Sequence, residues 1–340
     1  MISFKDKRFS LLHTIIFAAL IAMVTFSLTS FWKERQFAAK MSNAPTLSCN
    51  YNIKRMDGFK YIKPLMFVDE ECESEALMGI KQKLTGIIDT YKTTGDLTNA
   101  SVYLREYGHN EWMCINENDK FDPGSLFKVP VLIAILKMNE ENPGFLNKSL
   151  VYNKKVSTGK TIAYASKTIQ LGQSYTVREL LTYMIKYSDN NATILLEENL
   201  NPKVLQKLFA VVGLEVPNVY ATQYQFTTKE YSYFMRAIYN AGYLSSDDSE
   251  LAGELLTECD FKDGIVQGLP AGTKLAHKFG ESGDQNQKQL HESAIVYLEN
   301  KPYLLTIMTR GKDNKKLSQI IGEISRAVYT DMLNEANATL

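Results

Sequence analysis

The chain has 340 residues, 45% of them apolar and 22% charged, which is long enough to bury a large core and too apolar for general disorder. Lysine plus arginine and aspartate plus glutamate both number 38, so there is no basic field of the kind nucleic-acid binding requires, and nucleic acid is set aside as a partner. Four cysteines without C-x-x-C spacing, and four histidines (His13, His109, His277 and His291) without an H-E-x-x-H pair, speak against a metal centre, and no cofactor is expected.

Residues 1–8 carry Lys5, Lys7 and Arg8, the 24 residues from Phe9 to Trp32 are uncharged, and Lys33 and Arg35 follow. As a helix that stretch would cross roughly 30 Å of hydrocarbon. The expectation is a transmembrane signal-anchor over 9–32, with residues 1–8 cytoplasmic and the remainder extracytoplasmic, in the periplasm or at the cell surface. A cleaved signal peptide and a secreted product is the competing reading, with "FAAK" offering small residues near a cleavage point. Residues 33–73 read as a tether whose apolar cluster "YIKPLMFV" lies against a main domain over 74–340. Cys49 and Cys72 flank one segment of this exported region, where a disulfide is an open question; Cys114 and Cys259 read as small core residues.

From Ser74, "SEALMGIKQKLTGIIDTYKTTG" has helical spacing and ends at a glycine. "SVYLREY" and "EWMCINE" then read as a hairpin, followed by a helix over "FDPGSLFKVPVLIAILK". The middle, about 125–262, is mainly helical: Thr176-x-x-Glu179 is a capping box that starts a helix near Val177, running toward Tyr187 and stopping at Ser188-Asp189-Asn190-Asn191. "EYSYFMRAIYNAG" is another helix, expected to end on its glycine. Strands return in "TKLAHKFG", "SAIVYLE" and "YLLTIMT", and an amphipathic helix closes the chain from about Lys315 to Leu333, with Leu317, Ile320, Ile321, Ile324, Val328 and Met332 on one face. The economical architecture is α+β: one antiparallel sheet built from both chain ends and flanked by the terminal helices, with an all-helical lobe inserted.

S-x-x-K occurs three times, at Ser30–Lys33, Ser125–Lys128 and Ser157–Lys160. Only Ser125 stands at the start of a buried-looking helix, where free N–H groups and the helix dipole favour developing negative charge and a lysine one turn on can activate the hydroxyl. Ser188-Asp189-Asn190 and Lys278-Phe279-Gly280 follow in that order. This trio of motifs resembles the class A β-lactamase-like branch of the penicillin-recognising serine enzymes over residues 74–335, including the hairpin before the serine and the final strand, strand, helix succession.

The resemblance implies an acyl-enzyme formed at Ser125 with a β-lactam or a D-alanyl peptide of peptidoglycan. Lys128 would accept or relay the proton, and Ser188 would pass it to the departing nitrogen. Asn190 would hold the substrate amide and the Lys128 ammonium, and Lys278 would attract a substrate carboxylate. The N–H groups of Ser125 and Glu281, the residue after Gly280, would form the oxyanion hole. Asp189 reads as a turn acceptor. Two features depart from the family. Phe279 replaces a threonine that binds the substrate carboxylate, a loss Ser282 could offset. The region "VVGLEVPNVYATQYQFTTKEYSYF" also lacks the surroundings of the glutamate that activates water for deacylation: Glu215 and Asn218 are present, with Glu215 read as a solvated loop residue. Acylation without efficient hydrolysis is the consequence. A D,D-peptidase and a non-catalytic penicillin-binding sensor domain remain alternatives. The remaining features, including a P-loop-like "GLPAGTK" and 19 tyrosines, read as turn and packing.

Overall fold

The computed structural model describes residues 17, 20–33, 49–154, 164, 167–217, 224–299 and 301–338. The chain divides into two units, Met1–Cys49 and Asn50–Leu340. In the first, residues 20–33 are helical, and the Thr25 and Thr29 hydroxyls donate back to the Ile21 and Thr25 carbonyls at 2.7 and 2.8 Å. Among the described residues no helix is long and apolar enough to cross a membrane; residues 9–16, 18 and 19 of the expected 9–32 span lie outside them.

The second unit opens with a two-stranded ladder, β1 (Tyr51–Arg55) against β2 (Leu65–Glu70). Cys49, just before β1, and Cys72, just after β2, are disulfide-bonded, while Cys114 and Cys259 are free and buried. Of the apolar cluster expected to lie against the main domain, Met66 and Phe67 are buried, whereas Tyr61, Ile62 and Leu65 are exposed. Next come α1 (Met78–Thr94), β3 (Leu97–Glu106), β4 (Trp112–Ile115) and the short 3-10 turn Gly124–Phe127, which runs directly into α2 (Lys128–Glu141). A small ladder, β5 (Ser149–Val151) with β6 (Ser174–Thr176), precedes five helices: α3 (Val177–Lys186), α4 (Asn190–Glu197), α5 (Pro202–Val212), α6 (Thr228–Tyr239) and α7 (Ser246–Thr257). After the short α8 (Ile265–Gly268) the chain returns to strands β7 (Leu275–Gly283), β8 (Lys288–Val296) and β9 (Tyr303–Gly311), and ends in α9 (Asn314–Ala338).

Five strands form one antiparallel sheet in the order β4-β3-β9-β8-β7, so the sheet is built from both chain ends as the sequence leads one to expect. Strand alternation separates two cores. Ala276, Ile295, Leu304 and Met308 join the helical lobe, whereas Phe279, Leu290, Leu305 and Ile307 pack with residues of α1 and α9. The Thr176–Glu179 capping box is present in both directions. The end of α6 differs from expectation: Ala241, with φ 46°, takes the left-handed turn instead of Gly242. Gly242 is needed for closeness, because a Cβ there would lie 2.9 Å from the Met66 carbonyl on β2.

α2 is the axis of the lobe. Val129 and Val131–Leu136 are all fully buried, so the helix is apolar around its whole circumference, and its first residue, Lys128, is 4% exposed. The turn leading into it is fixed to the sheet by backbone contact. A Cβ on Gly124 (φ 51°) would lie 2.1 Å from the Glu281 carbonyl, and one on Gly280 would lie 2.2 Å from the Pro123 carbonyl. The Asp122 carbonyl accepts from Ser282 Oγ at 2.9 Å and from His291 Nε2 at 3.0 Å, and His291 Nδ1 accepts from the Thr309 N–H at 3.2 Å, which fixes the tautomer. Burial pushes the His291 imidazole down to about 3, so it is neutral at physiological pH.

Two outcomes test this seam. Gly280→Ala should lose about 1–3 kcal/mol in urea denaturation through overpacking, whereas Gly86→Ala, in mid-α1 with nothing within 4 Å of the added Cβ, should gain about 0.5–1 kcal/mol. Because His291 takes up a proton near 6.5 when unfolded and only near 3 when folded, its share of stability is complete above pH 6.5 and falls as the pH drops toward 3. Between pH 7 and 4.5, His291→Gln should therefore lose about 3 kcal/mol less than the wild type.

Candidate functional site

Ser125 lies in the 3-10 turn, partly exposed, with Lys128 one turn on and buried beneath it. The Lys128 Nζ is 3.1 Å from Ser125 Oγ, 2.5 Å from the Ser188 carbonyl oxygen, 3.1 Å from Ser188 Oγ and 2.8 Å from Asn190 Oδ1. Lys278 on β7, fully buried, donates from Nζ to Ser188 Oγ at 3.0 Å and to the Phe279 carbonyl at 3.2 Å. A continuous polar chain therefore runs from Ser125 through Lys128 and Ser188 to Lys278, joining three segments far apart in sequence.

Local chemistry explains the placement of Ser188. It is a non-glycine residue with φ 54°, a strained conformation worth about 1–3 kcal/mol. That conformation turns both its carbonyl and its hydroxyl onto Lys128. Asp189 holds the turn: its carboxylate accepts from Asn191 N–H at 3.0 Å, Thr168 Oγ1 at 2.9 Å and Ile169 N–H at 2.9 Å. It is a structural acceptor and the N-cap of α4, which puts Asn190 at the first position of that helix.

The electrostatics separate the two lysines. Sharing one hydroxyl at 3.0 and 3.1 Å, their Nζ atoms are at most about 6 Å apart, where like-charge repulsion is roughly 3 kcal/mol at an effective dielectric of 20. Burial, reinforced by Lys278, holds Lys128 well below the ordinary lysine range. Burial also lowers Lys278, but Cys259, Asp260, Glu292 and Glu281 oppose it. Asp189, Glu197 and Cys259 likewise oppose the shift at Lys128. As a neutral amine, Lys128 would have two N–H groups to match the Ser188 carbonyl and Asn190 Oδ1, which only accept, and a lone pair for a hydroxyl.

Phe279, where the resemblance places a threonine, is 1% exposed and stacked on Phe261 with ring centroids 4.2 Å apart, and its ring centroid lies 4.1 Å from Lys278 Nζ. Ser282 does not join the cluster, because its hydroxyl proton is given to Asp122. Gly280 is buried against the serine turn, and the Glu281 carboxylate accepts from Asn314 Nδ2 at 2.9 Å and the Tyr164 N–H at 3.4 Å. Glu215 is exposed on the loop after α5; Asn218, Ser157 and Lys160 lie outside the described residues. Ser30 and Lys33 are exposed on the N-terminal helix.

Three things were missed in the sequence: the two-donor clamp on Asp122, the small β5–β6 ladder, and a buried chain behind β7. There, His277 Nδ1 meets Glu292 Oε1 at 2.8 Å, and the other Glu292 oxygen accepts from Ile265 N–H at 2.6 Å. Period-two alternation on β8, with Leu290, Glu292 and Ala294 on one face and His291 and Ser293 on the other, was the available signal. Among the described residues Glu106, His109 and Glu111 bring ligand atoms within 4.8 Å of one another, but both Glu106 oxygens already accept backbone N–H bonds from the Gly108–His109 turn. Those bonds explain the buried carboxylate without a metal.

The model of the beta-lactamase enzyme family matches residues 79–332. The extended-spectrum beta-lactamase PER-1 of Pseudomonas aeruginosa is 26% identical over 248 residues, 67% of this chain and 80% of that protein. A beta-lactamase of Bacillus subtilis is 24% identical over 249 residues, 68% of this chain and 78% of its own. Among solved structures, a mutant of PBP-A in an acyl-enzyme complex with penicillin G superposes with a TM-score of 0.63 at 21% identity, covering 76% of this chain and 97% of that one. The fold is that of the β-lactamase and transpeptidase-like proteins, and the chain belongs to the beta-lactamase enzyme family of serine hydrolases.

Proposed function

We propose that this protein is an acyl-enzyme-forming serine hydrolase whose Ser125 attacks the carbonyl of a β-lactam or of a D-alanyl amide, and that its deacylation is slow. The observation that carries the reading is the contact of Ser125 Oγ with a buried lysine held below its usual pKa, with Lys128 Nζ at 3.1 Å. A neutral amine there takes the serine proton as the C–O bond forms. The Ser125 and Glu281 N–H groups receive the oxyanion where the turn meets β7. The proton then travels by Ser188 to the leaving nitrogen, Asn190 orients the substrate amide, and Lys278, beneath Ser188, supplies positive charge for a carboxylate.

Slow deacylation is supported by the sequence "VVGLEVPNVYATQYQFTTKEYSYF", which lacks the surroundings of a deacylating glutamate, and by the exposure of Glu215. An acyl ester without a dedicated base to activate water hydrolyses slowly. A membrane-anchored enzyme working outside the cytoplasm is supported by the uncharged stretch from Phe9 to Trp32 and by the disulfide-bonded Cys49 and Cys72, since such bonds persist in oxidising compartments.

Intact-protein mass spectrometry of the full chain in detergent, mixed with benzylpenicillin, tests this. The wild type should gain one penicilloyl adduct that persists for hours, and Ser125→Ala none. Lys128→Met should acylate about 10²–10⁴-fold more slowly. A wild type without adduct would overturn the reading. An adduct that clears within seconds while penicilloate accumulates would replace slow deacylation with true β-lactamase turnover.

A further inference from the structure

A half-open polar cavity lies on the same face of the sheet as Lys278, toward the other edge. It has a volume of about 300 Å³ and is lined by β2, the end of β3 with its following turn, and the C-terminal end of α6. β3 is separated from β7 by β9 and β8, so at about 4.8 Å per strand the cavity is some 14 Å across the sheet from Lys278. None of its lining residues takes part in the chemistry described above.

Two guanidinium groups line it, Arg105 and Arg236, each 1% exposed. Arg236 is ion-paired with Asp69 and donates to the Val68 carbonyl at 3.0 Å, but its Nε has no acceptor among the described residues. Arg105 donates to the Val68 carbonyl at 3.2 Å, to Tyr103 Oη at 3.3 Å and to Asn110 Oδ1, all of them neutral acceptors. Glu106, the next residue on β3, alternates to the other face and is engaged by the Gly108–His109 turn. Two buried cations thus share one carboxylate, and a buried charge without a counter-ion is expensive.

The other unmatched polar atom on the cavity wall is also a donor. Tyr107 Oη is buried with no partner among the described residues, and burial raises its pKa so that it keeps its proton. The apolar surfaces are flat: Tyr107 stacks on Tyr239 with centroids 3.8 Å apart, and the Arg236 guanidinium lies 4.2 Å over the Phe67 ring. Unpaired donors and excess positive charge select a group that only accepts, and a planar guanidinium fork suits a carboxylate or a phosphate.

We propose that this cavity is a binding site for a small molecule that bears one carboxylate or phosphate on a flat apolar body, separate from the serine site. Its anion completes the charge of Arg105 and Arg236 and takes the Tyr107 hydroxyl, and its body lies along the Tyr107–Tyr239 stack.

The test is thermal melting of the full chain in detergent with benzoate, phenyl phosphate or neutral benzyl alcohol at fixed ionic strength. The expected result is a saturable rise in melting temperature with at least one anion and none with the alcohol; the stronger of the two anions identifies the headgroup. Arg105→Gln should weaken the midpoint concentration by at least 10-fold. Tyr239→Ala, on the partly exposed wall and easier to fold, should do the same. No saturable rise with either anion, or a rise unchanged in a cooperatively melting Tyr239→Ala protein, would overturn the proposal.

Discussion

An amine at the first turn of a helix that is apolar on every side must either lose its proton or find partners for all its N–H groups. Lys128 has such partners and its pKa is pushed down by burial, and the rest of the site is arranged around that requirement. Lys128 is 4% exposed, and Val129 and Val131–Leu136 behind it in the helix are fully buried. Partners must come from the α3–α4 turn, and Ser188 supplies two of them only by adopting a left-handed conformation. The strain at Ser188 and the three-bond Asp189 acceptor beside it are therefore parts of one solution to one desolvation problem. Lys278 completes it from the sheet. Sharing Ser188 Oγ, the two lysines repel, and burial together with that repulsion pushes Lys128 well below the ordinary lysine range while anionic neighbours oppose the shift at both amines.

A nucleophile is useful only if it is held still against the groups that act on it. Here the serine turn is held by the sheet's edge strand. Gly124 and Gly280 let two backbones touch, and the Asp122 carbonyl accepts from donors on two adjacent strands. A neutral His291 is required for this, since its Nδ1 must accept from Thr309 while Nε2 donates. Ser282, considered in the sequence as a substitute for the missing threonine hydroxyl, is instead part of that clamp.

Much of this was readable in advance, for identifiable reasons. The sheet strands, the Thr176 capping box and the amphipathic closing helix rest on local periodicity and local caps, which sequence exposes directly. Ser125, Lys128, Ser188, Asn190 and Lys278 were found because their spacing and order form a compound signal that no single S-x-x-K could provide. What stayed hidden depends on which strand lies beside which. The contact of Gly280 with Pro123, the meeting of His291 with Asp122, and the pairing of Arg105 with Arg236 in one cavity all join residues more than a hundred positions apart. The left-handed Ala241 was hidden for a related reason: Gly242, the residue that looks suited to the turn, is needed where β2 presses on it.

The central claim is that Lys128 is the neutral member of the pair of lysines. Heteronuclear NMR of the side-chain ε-carbons and ζ-nitrogens of labelled lysine, assigned with Lys128→Met and followed from pH 5 to 11, measures it directly. The account predicts that the Lys128 resonance reports a neutral amine across the physiological range and completes its titration well below the ordinary lysine value of 10.5. A Lys128 that remains an ammonium until about pH 10 would contradict the account and move the base for Ser125 to another group.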